Sequence, residues 1–201
     1  MRVGLFRRIA SFLLDAVPIL VTLSLLFSLF VGDLLKEDGY DDLIVEYQSI
    51  VDDYNATINP YLQQFENDEI TEDEYLALIQ DDYDQFIEDT NIHTQAMLNY
   101  FVRGFFYHFI GFIVIYYAYN LIFKGNTYGR QIMKIELGGK ITWWTIFVRE
   151  IVYKVMFWLI TLFIGGILID MAVIAFSKRG KAPRDFVSNT YIKHKGVDYQ
   201  M

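Results

Sequence analysis

The sequence predicts an all-α integral membrane helical bundle: two full spans plus a re-entrant hairpin or third span, with an external acidic helical hairpin inserted after the first span. Three observations carry that fold class. The 201-residue chain is 54% hydrophobic, 17% aromatic and has a mean hydropathy of +0.25, too apolar for an ordinary soluble domain. The excess is gathered in blocks, and Ile9–Val31 and Phe101–Phe123, 23 residues each, can cross a hydrocarbon core of about 30 Å. Charge is also partitioned, because residues 33–99 hold 19 of the 25 acidic residues and a single base, Lys36, for a local net of −18.

Residues 1–32 form the cytosolic N-terminus and first span. Arg2, Arg7 and Arg8 precede the apolar run, and basic residues at span ends mark the cytosolic side. A cleaved signal peptide is not expected, since the run is too long and no small-residue cleavage site follows it. Asp15 lies inside the run, where a carboxylate costs roughly 2.5–3.5 kcal/mol and calls for a partner or a polar cavity. Residues 33–99 then read as the external hairpin. Leu43, Ile44, Tyr47, Ile50, Val51 and Tyr54 make one apolar stripe, and Tyr75, Leu76, Ile79, Tyr83, Phe86 and Ile87 make a second. Asn59-Pro60 is expected to break the first helix, and Thr71–Glu74 to cap the next. Without a glycine-containing calcium loop, the acids read as a solvated face.

Residues 100–124 are the second span. It carries Arg103 near its outer end and His108, a packing histidine by preference and a proton relay by alternative. Residues 125–154 are a cytosolic loop and an interfacial amphipathic helix with Trp143, Trp144, Phe147, Ile151 and the pair Glu150/Lys154. Residues 155–177 are read as two arms hinged at Gly165-Gly166, or as a third span. The hairpin is preferred because a span would export the basic tail, residues 178–201. Asp170 is a further intramembrane acid there. With no cysteine, disulfides and thiolate sites are excluded. No nucleophile–base set or metal-ligand spacing is present, so neither an enzyme, a metal site nor a cofactor is expected. The expected partners are the lipid bilayer and a second copy or another membrane protein, not nucleic acid.

Arg8, Ser11, Asp15 and Thr22 share one polar stripe of the first span. Arg8 and Asp15 are nonetheless about 10.5 Å apart along the axis, and Arg8 leans toward the N-terminus and water. The partner of Asp15 is therefore expected from a later segment, with Arg149 or Arg184 preferred over Arg130 and Lys154.

Arg8 with Asp15, the loop "GNTYGR" through Gly125, Thr127 and Gly129, Arg149 in "FVREI", and Asp185 in "RDFVSNT" together resemble the RDD family of small multi-pass membrane proteins. The resemblance covers residues 5–31 and 101–195. Arg130 stands where lysine is common in the family, Lys134 and Asn189 where glycine is common, and Arg184 where histidine often precedes the aspartate. The family implies a transport-related role, with cation/proton exchange proposed for some members. On that footing Arg8, Asp15, Arg149, Arg184 and Asp185 are the candidate ion-binding, proton-binding or structural ion-pair residues, with His108 and Asp170 behind them. The rival reading is a non-transporting scaffold whose acidic hairpin binds a partner.

Overall fold

The computed structural model describes residues 3–156, 164–176 and 181–196, and they are mostly helical. Helix α1 (Leu5–Leu26) passes through a π turn, Phe27–Val31, into Gly32–Leu35. Two helices follow, α2 (Tyr40–Glu66) and α3 (Glu72–Ile122). The remaining elements are α4 (Tyr128–Ile132), β1 (Ile135–Gly139), α5 (Trp143–Ile146) running into a π-helix at Phe147–Met156, α6 (Ile164–Phe176), α7 (Pro183–Val187) and β2 (Thr190–His194). Two helical stretches, Leu5–Leu35 and Glu72–Ile122, are long and apolar enough to cross a membrane. Contacts divide the chain into two compact units, Leu29–Phe105 and Met1–Ser28 with Phe106–Met201.

The acidic unit is held by rings. Tyr40 meets Tyr100 at 4.9 Å between centroids, Tyr47 meets His93 at 6.2 Å, Tyr54 stacks on Phe86 at 4.4 Å and Phe65 on Tyr75 at 5.3 Å. The first three pairs step by seven residues up α2 and seven down α3, so the helices pack antiparallel in a constant heptad register. The predicted cap is in place, with Thr71 N–H donating to Glu74 Oε2 at 2.9 Å and Glu74 N–H to Thr71 Oγ1 at 3.3 Å. The predicted break at Asn59-Pro60 is corrected, because α2 continues through Pro60 to Glu66. A proline ring removes one helical bond, but ring stacking on both sides of it outweighs that local preference. Arg103 does more than reach for water. It donates to Glu37 Oε1 at 2.5 Å and to the Leu35 carbonyl at 3.2 Å, closing the base of this unit.

In the other unit the apolar core is Tyr116, Ile151 and Val155, packed with Phe12, Ile19, Phe112 and Phe147. The first span, the second half of α3 and the π-helix therefore share one core. The all-α expectation is corrected by a two-stranded antiparallel sheet of β1 and β2, in which Glu136 pairs with Lys193 at 3.1 Å. Gly138 lies opposite Tyr191, and a Cβ at that position would come within 2.6 Å of the ring. Lys134 and Asn189, at the two family-glycine positions, adopt φ of +55° and +48°, the left-handed region that glycine enters most easily. The preference for a hairpin over a third span at 155–177 turns on residues 157–163, which lie outside the described residues, as do 178–180 and 197–201 of the tail. Gly165 and Gly166 fall within α6.

Because Tyr54 and Phe86 stack at the middle of the ladder, the two residues are expected to be energetically coupled. A double-mutant cycle with Tyr54→Ala and Phe86→Ala, read by hydrogen exchange of the α2 amides in the full chain, is expected to give roughly 0.5–1.5 kcal/mol of interaction. Simple additivity would show the rings to be neighbours without contribution.

Candidate functional site

The stripe predicted on the first span is buried at three of its four positions, Arg8, Ser11 and Asp15, while Thr22 is exposed and donates to the Pro18 carbonyl at 2.9 Å. Arg8 does not lean into water. The segment around α7 covers it, and Arg8 Nη1 donates to Asp185 Oδ2 at 3.1 Å. That corrects the expectation for Arg8, since the helix direction was right but the space beside it is filled by protein.

Asp15 is corrected as well. Neither Arg149 nor Arg184 reaches it, and its donors are neutral. Tyr119 Oη donates to Oδ1 at 3.1 Å, Gly129 N–H to Oδ1 at 2.7 Å, and Thr127 Oγ1 to Oδ2 at 2.5 Å. The "GNTYGR" loop makes most of this contact. Thr127 and Gly129 supply two of the three donors, and a Cβ on Gly129 would stand 2.0 Å from the Ser11 carbonyl oxygen and 2.9 Å from the Asp15 carboxyl carbon. Only glycine lets the loop approach the first span so closely. Tyr128 N–H donates to Tyr119 Oη at 2.9 Å, orienting the phenol toward the carboxylate.

The guanidiniums gather on other acids. Arg149 Nη1 pairs with Asp185 Oδ1 and donates to Thr190 Oγ1 at 2.6 Å, while its Nε reaches Glu150 Oε1 at 3.1 Å. Asp185 Oδ2 also accepts the Ala182 N–H at 2.9 Å. Glu150 Oε1 takes Arg130 as well, whose other Nη holds the Gly125 carbonyl. Glu150 Oε2 accepts from Tyr116 Oη and from Lys154 Nζ, each at 3.0 Å. Lys154 sits 4.4 Å above the Phe12 ring centroid, a cation–π contact to the first span. Arg184 pairs with Asp170. Arg149 and Glu150 are each 1% exposed. Two adjacent residues of opposite charge both face inward on the ten-residue π-helix.

Burial alone would raise the carboxyl of Asp185, but Arg149, Arg8 and Arg184 outweigh it and bring it to about 2. Glu150 is likewise held well below the usual carboxylate range, against its burial, by Arg130, Lys154 and Arg149. Burial pushes the Lys154 ammonium down to about 8, opposed by Glu150 and aided by Arg130 and Arg184.

Of the sequence candidates, Arg8, Arg149 and Asp185 meet in one cluster, Arg184 and Asp170 form an adjoining pair, and Asp15 sits apart on its own donors. His108 is half-buried, with Nε2 3.4 Å from Ser24 Oγ and its ring 5.0 Å from Phe27. The central place of Glu150 and the roles of Tyr116 and Tyr119 were missed. Glu150 carried a signal, since it follows Arg149 directly within the apolar pattern of the π-helix. The tyrosines carried none, because aromatic residues are common throughout the span.

Two helices long and apolar enough to cross a membrane, with a buried polar network beside them, fit a helical membrane protein. The chain belongs to the RDD family, whose family model matches residues 2–189. Comparison with curated proteins finds no match, and neither does comparison with solved structures.

A carboxylate held below its ordinary value stabilises the fold above that value and loses the contribution as pH falls through the folded one. For Asp185 this places the loss between about pH 4 and pH 2, on the order of 2 kcal/mol. Thermal unfolding of the detergent-solubilised protein is expected to show that acid-induced drop, with a shallower drop in Asp185→Asn. Equal slopes would show that Asp185 does not carry it.

Proposed function

We propose that this RDD-family protein belongs to the transport class and exchanges a small cation for protons, with Asp15 as the carboxylate that binds them in turn. One observation carries the reading. Glu150, Asp170 and Asp185 each contact an arginine or lysine directly, whereas the bonds of Asp15 among the described residues all come from neutral groups. A carrier carboxylate has to trade its proton for a cation, and a bonded guanidinium would oppose that exchange. Two of its three donors are hydroxyls, which can turn from donating to accepting. Oxygen atoms of Asp15, Thr127 and Tyr119 together offer the hard ligands a small cation prefers. The buried ion pairs around Asp185 and Glu150 then serve as the fixed frame, and no enzymatic step is assigned.

Two spans enclose too little for a pathway, so this reading includes a homo-oligomer or a partner membrane protein in the cell membrane. It also includes cytosolic termini and an external acidic unit, supported by the distribution of arginine and lysine. A second reading is favoured by the acidic unit's own ring ladder. On that reading the protein is a non-transporting scaffold or accessory subunit, and the acidic helix pair binds a partner.

Proteoliposomes containing only this protein are expected to show proton-coupled cation flux, lost at least tenfold in a stably folded Asp15→Asn protein. Unimpaired flux in that variant ends the carrier role, and absence of flux from the wild type leaves the scaffold. Topology is read separately with single cysteines in the exposed positions of Ser49 and Lys195. A membrane-impermeant thiol reagent applied to intact cells is expected to label the first and spare the second. Equal labelling would place the tail outside.

A further inference from the structure

His93 is the one histidine of the acidic unit, and it is buried, 4% exposed, in the seam between α2 and α3. Its two ring nitrogens meet different neighbours. Nδ1 lies 3.1 Å from the Asp89 carbonyl oxygen, an atom that only accepts, so the ring proton belongs on Nδ1. In the neutral ring Nε2 is then an acceptor. It faces Glu46 Oε2 at 3.4 Å and forms no hydrogen bond with any described residue. A bare imidazole nitrogen and a carboxylate oxygen are both acceptors and cannot bond. One proton between them turns the confrontation into a charge-assisted pair.

The surroundings supply no substitute for that proton. Tyr47 is the other titratable group that α2 brings to the ring, at 6.2 Å between centroids, the widest of the four ring contacts in the unit. Asp89, one turn away on the same helix as His93, lines a neighbouring groove with Asp53, Asp82 and Ile50. The bases of the unit are paired elsewhere, Lys36 with Asp33 and Asp41, and Arg103 with Glu37. Nε2 is shut off from solvent, whereas the Glu46 side chain is 64% exposed and has room to turn toward the ring or away. We infer that His93 and Glu46 form a proton-binding site, and that the proton it takes fastens α2 to α3. Only the imidazolium gains a partner. The fastening is therefore present in acid and lost as pH rises through the range in which histidines titrate, about pH 5–8. The acidic unit thereby responds to the acidity of the compartment it faces. The site stands apart from the exchange assigned to Asp15, which belongs to the other unit.

The test uses the full chain in lipid nanodiscs, with nitrogen-15-labelled histidine, titrated from pH 8 to pH 5 in the presence of a metal chelator. The chain has three histidines, and His108→Gln and His194→Gln assign the His93 signals by elimination. At pH 8 the His93 ring is expected as the Nδ1–H tautomer, and at pH 5 with a proton on each nitrogen. Exchange of the α2 amides, corrected for its intrinsic pH dependence, is expected to slow about fivefold between pH 8 and pH 5.5. Glu46→Gln puts an amide N–H opposite the bare nitrogen. Its α2 amides are expected to be protected equally at both pH values, and no less than those of the wild type at pH 8. His93→Gln is expected to lose the pH response as well, and the wild-type titration stands if that variant fails to fold. A neutral ring protonated on Nε2, or a ring that keeps one state across the titration, overturns the proposal. So does a pH response that survives unchanged in folded Glu46→Gln. A response that requires added zinc overturns it too, and makes the pair a metal site.

Discussion

Buried charge that must be matched is the constraint on which this fold depends. Asp185 draws in Arg8 from the first span, Arg149 from the π-helix and the Ala182 N–H from its own turn. Glu150 collects Arg130, Arg149, Lys154 and the Tyr116 hydroxyl. Removing one partner from such a pair strands the other charge, at about 3–5 kcal/mol. Segments as far apart as residues 8 and 185 are thereby fixed to one another. The small sheet serves the same end. Pairing β2 with β1 brings the chain back past Asn189, whose left-handed backbone turns it directly after α7, and α7 delivers Asp185.

Asp15 and Asp185 are held in different ways. Asp185 is the permanent anion among fixed cations. Asp15 joins a membrane span to a loop through two hydroxyls and one amide N–H. Both lie in polar surroundings away from bulk water, yet one shell is charged and the other neutral. Burial does not tell the two apart, since both are buried.

Much of the fold was legible because it rests on local period and length. The long apolar helices, the first apolar stripe of the acidic segment and the Thr71–Glu74 cap follow from spacings of three, four and seven residues, whereas in the second stripe Tyr75, Ile79 and Phe86 turn inward and Leu76, Tyr83 and Ile87 are exposed. The strands were not legible. Each is five residues long, and neither alternates cleanly enough to compete with the helical background. The burial of the polar candidates was legible, and their pairing was not. Arg8, Asp15, Arg149, Arg184 and Asp185 all stand at buried polar positions, but spacing along one helix says nothing about which distant loop fills the space beside Arg8. Lys134 and Asn189 show the converse case, where residues other than glycine bear a left-handed backbone that their types do not announce.

The ring ladder of the acidic unit also makes it a ruler. Three of its pairs recur at the same seven-residue step on both helices, so the contacts at 40 with 100, 47 with 93 and 54 with 86 are interchangeable units of one length. Taking one unit from each arm shortens the pair by about 10 Å and leaves every remaining ring opposite a ring. Cutting one arm alone turns each later ring away from its mate. The length of this unit is thus tied to the spacing of its ring pairs, and a change in length has to occur in both arms together.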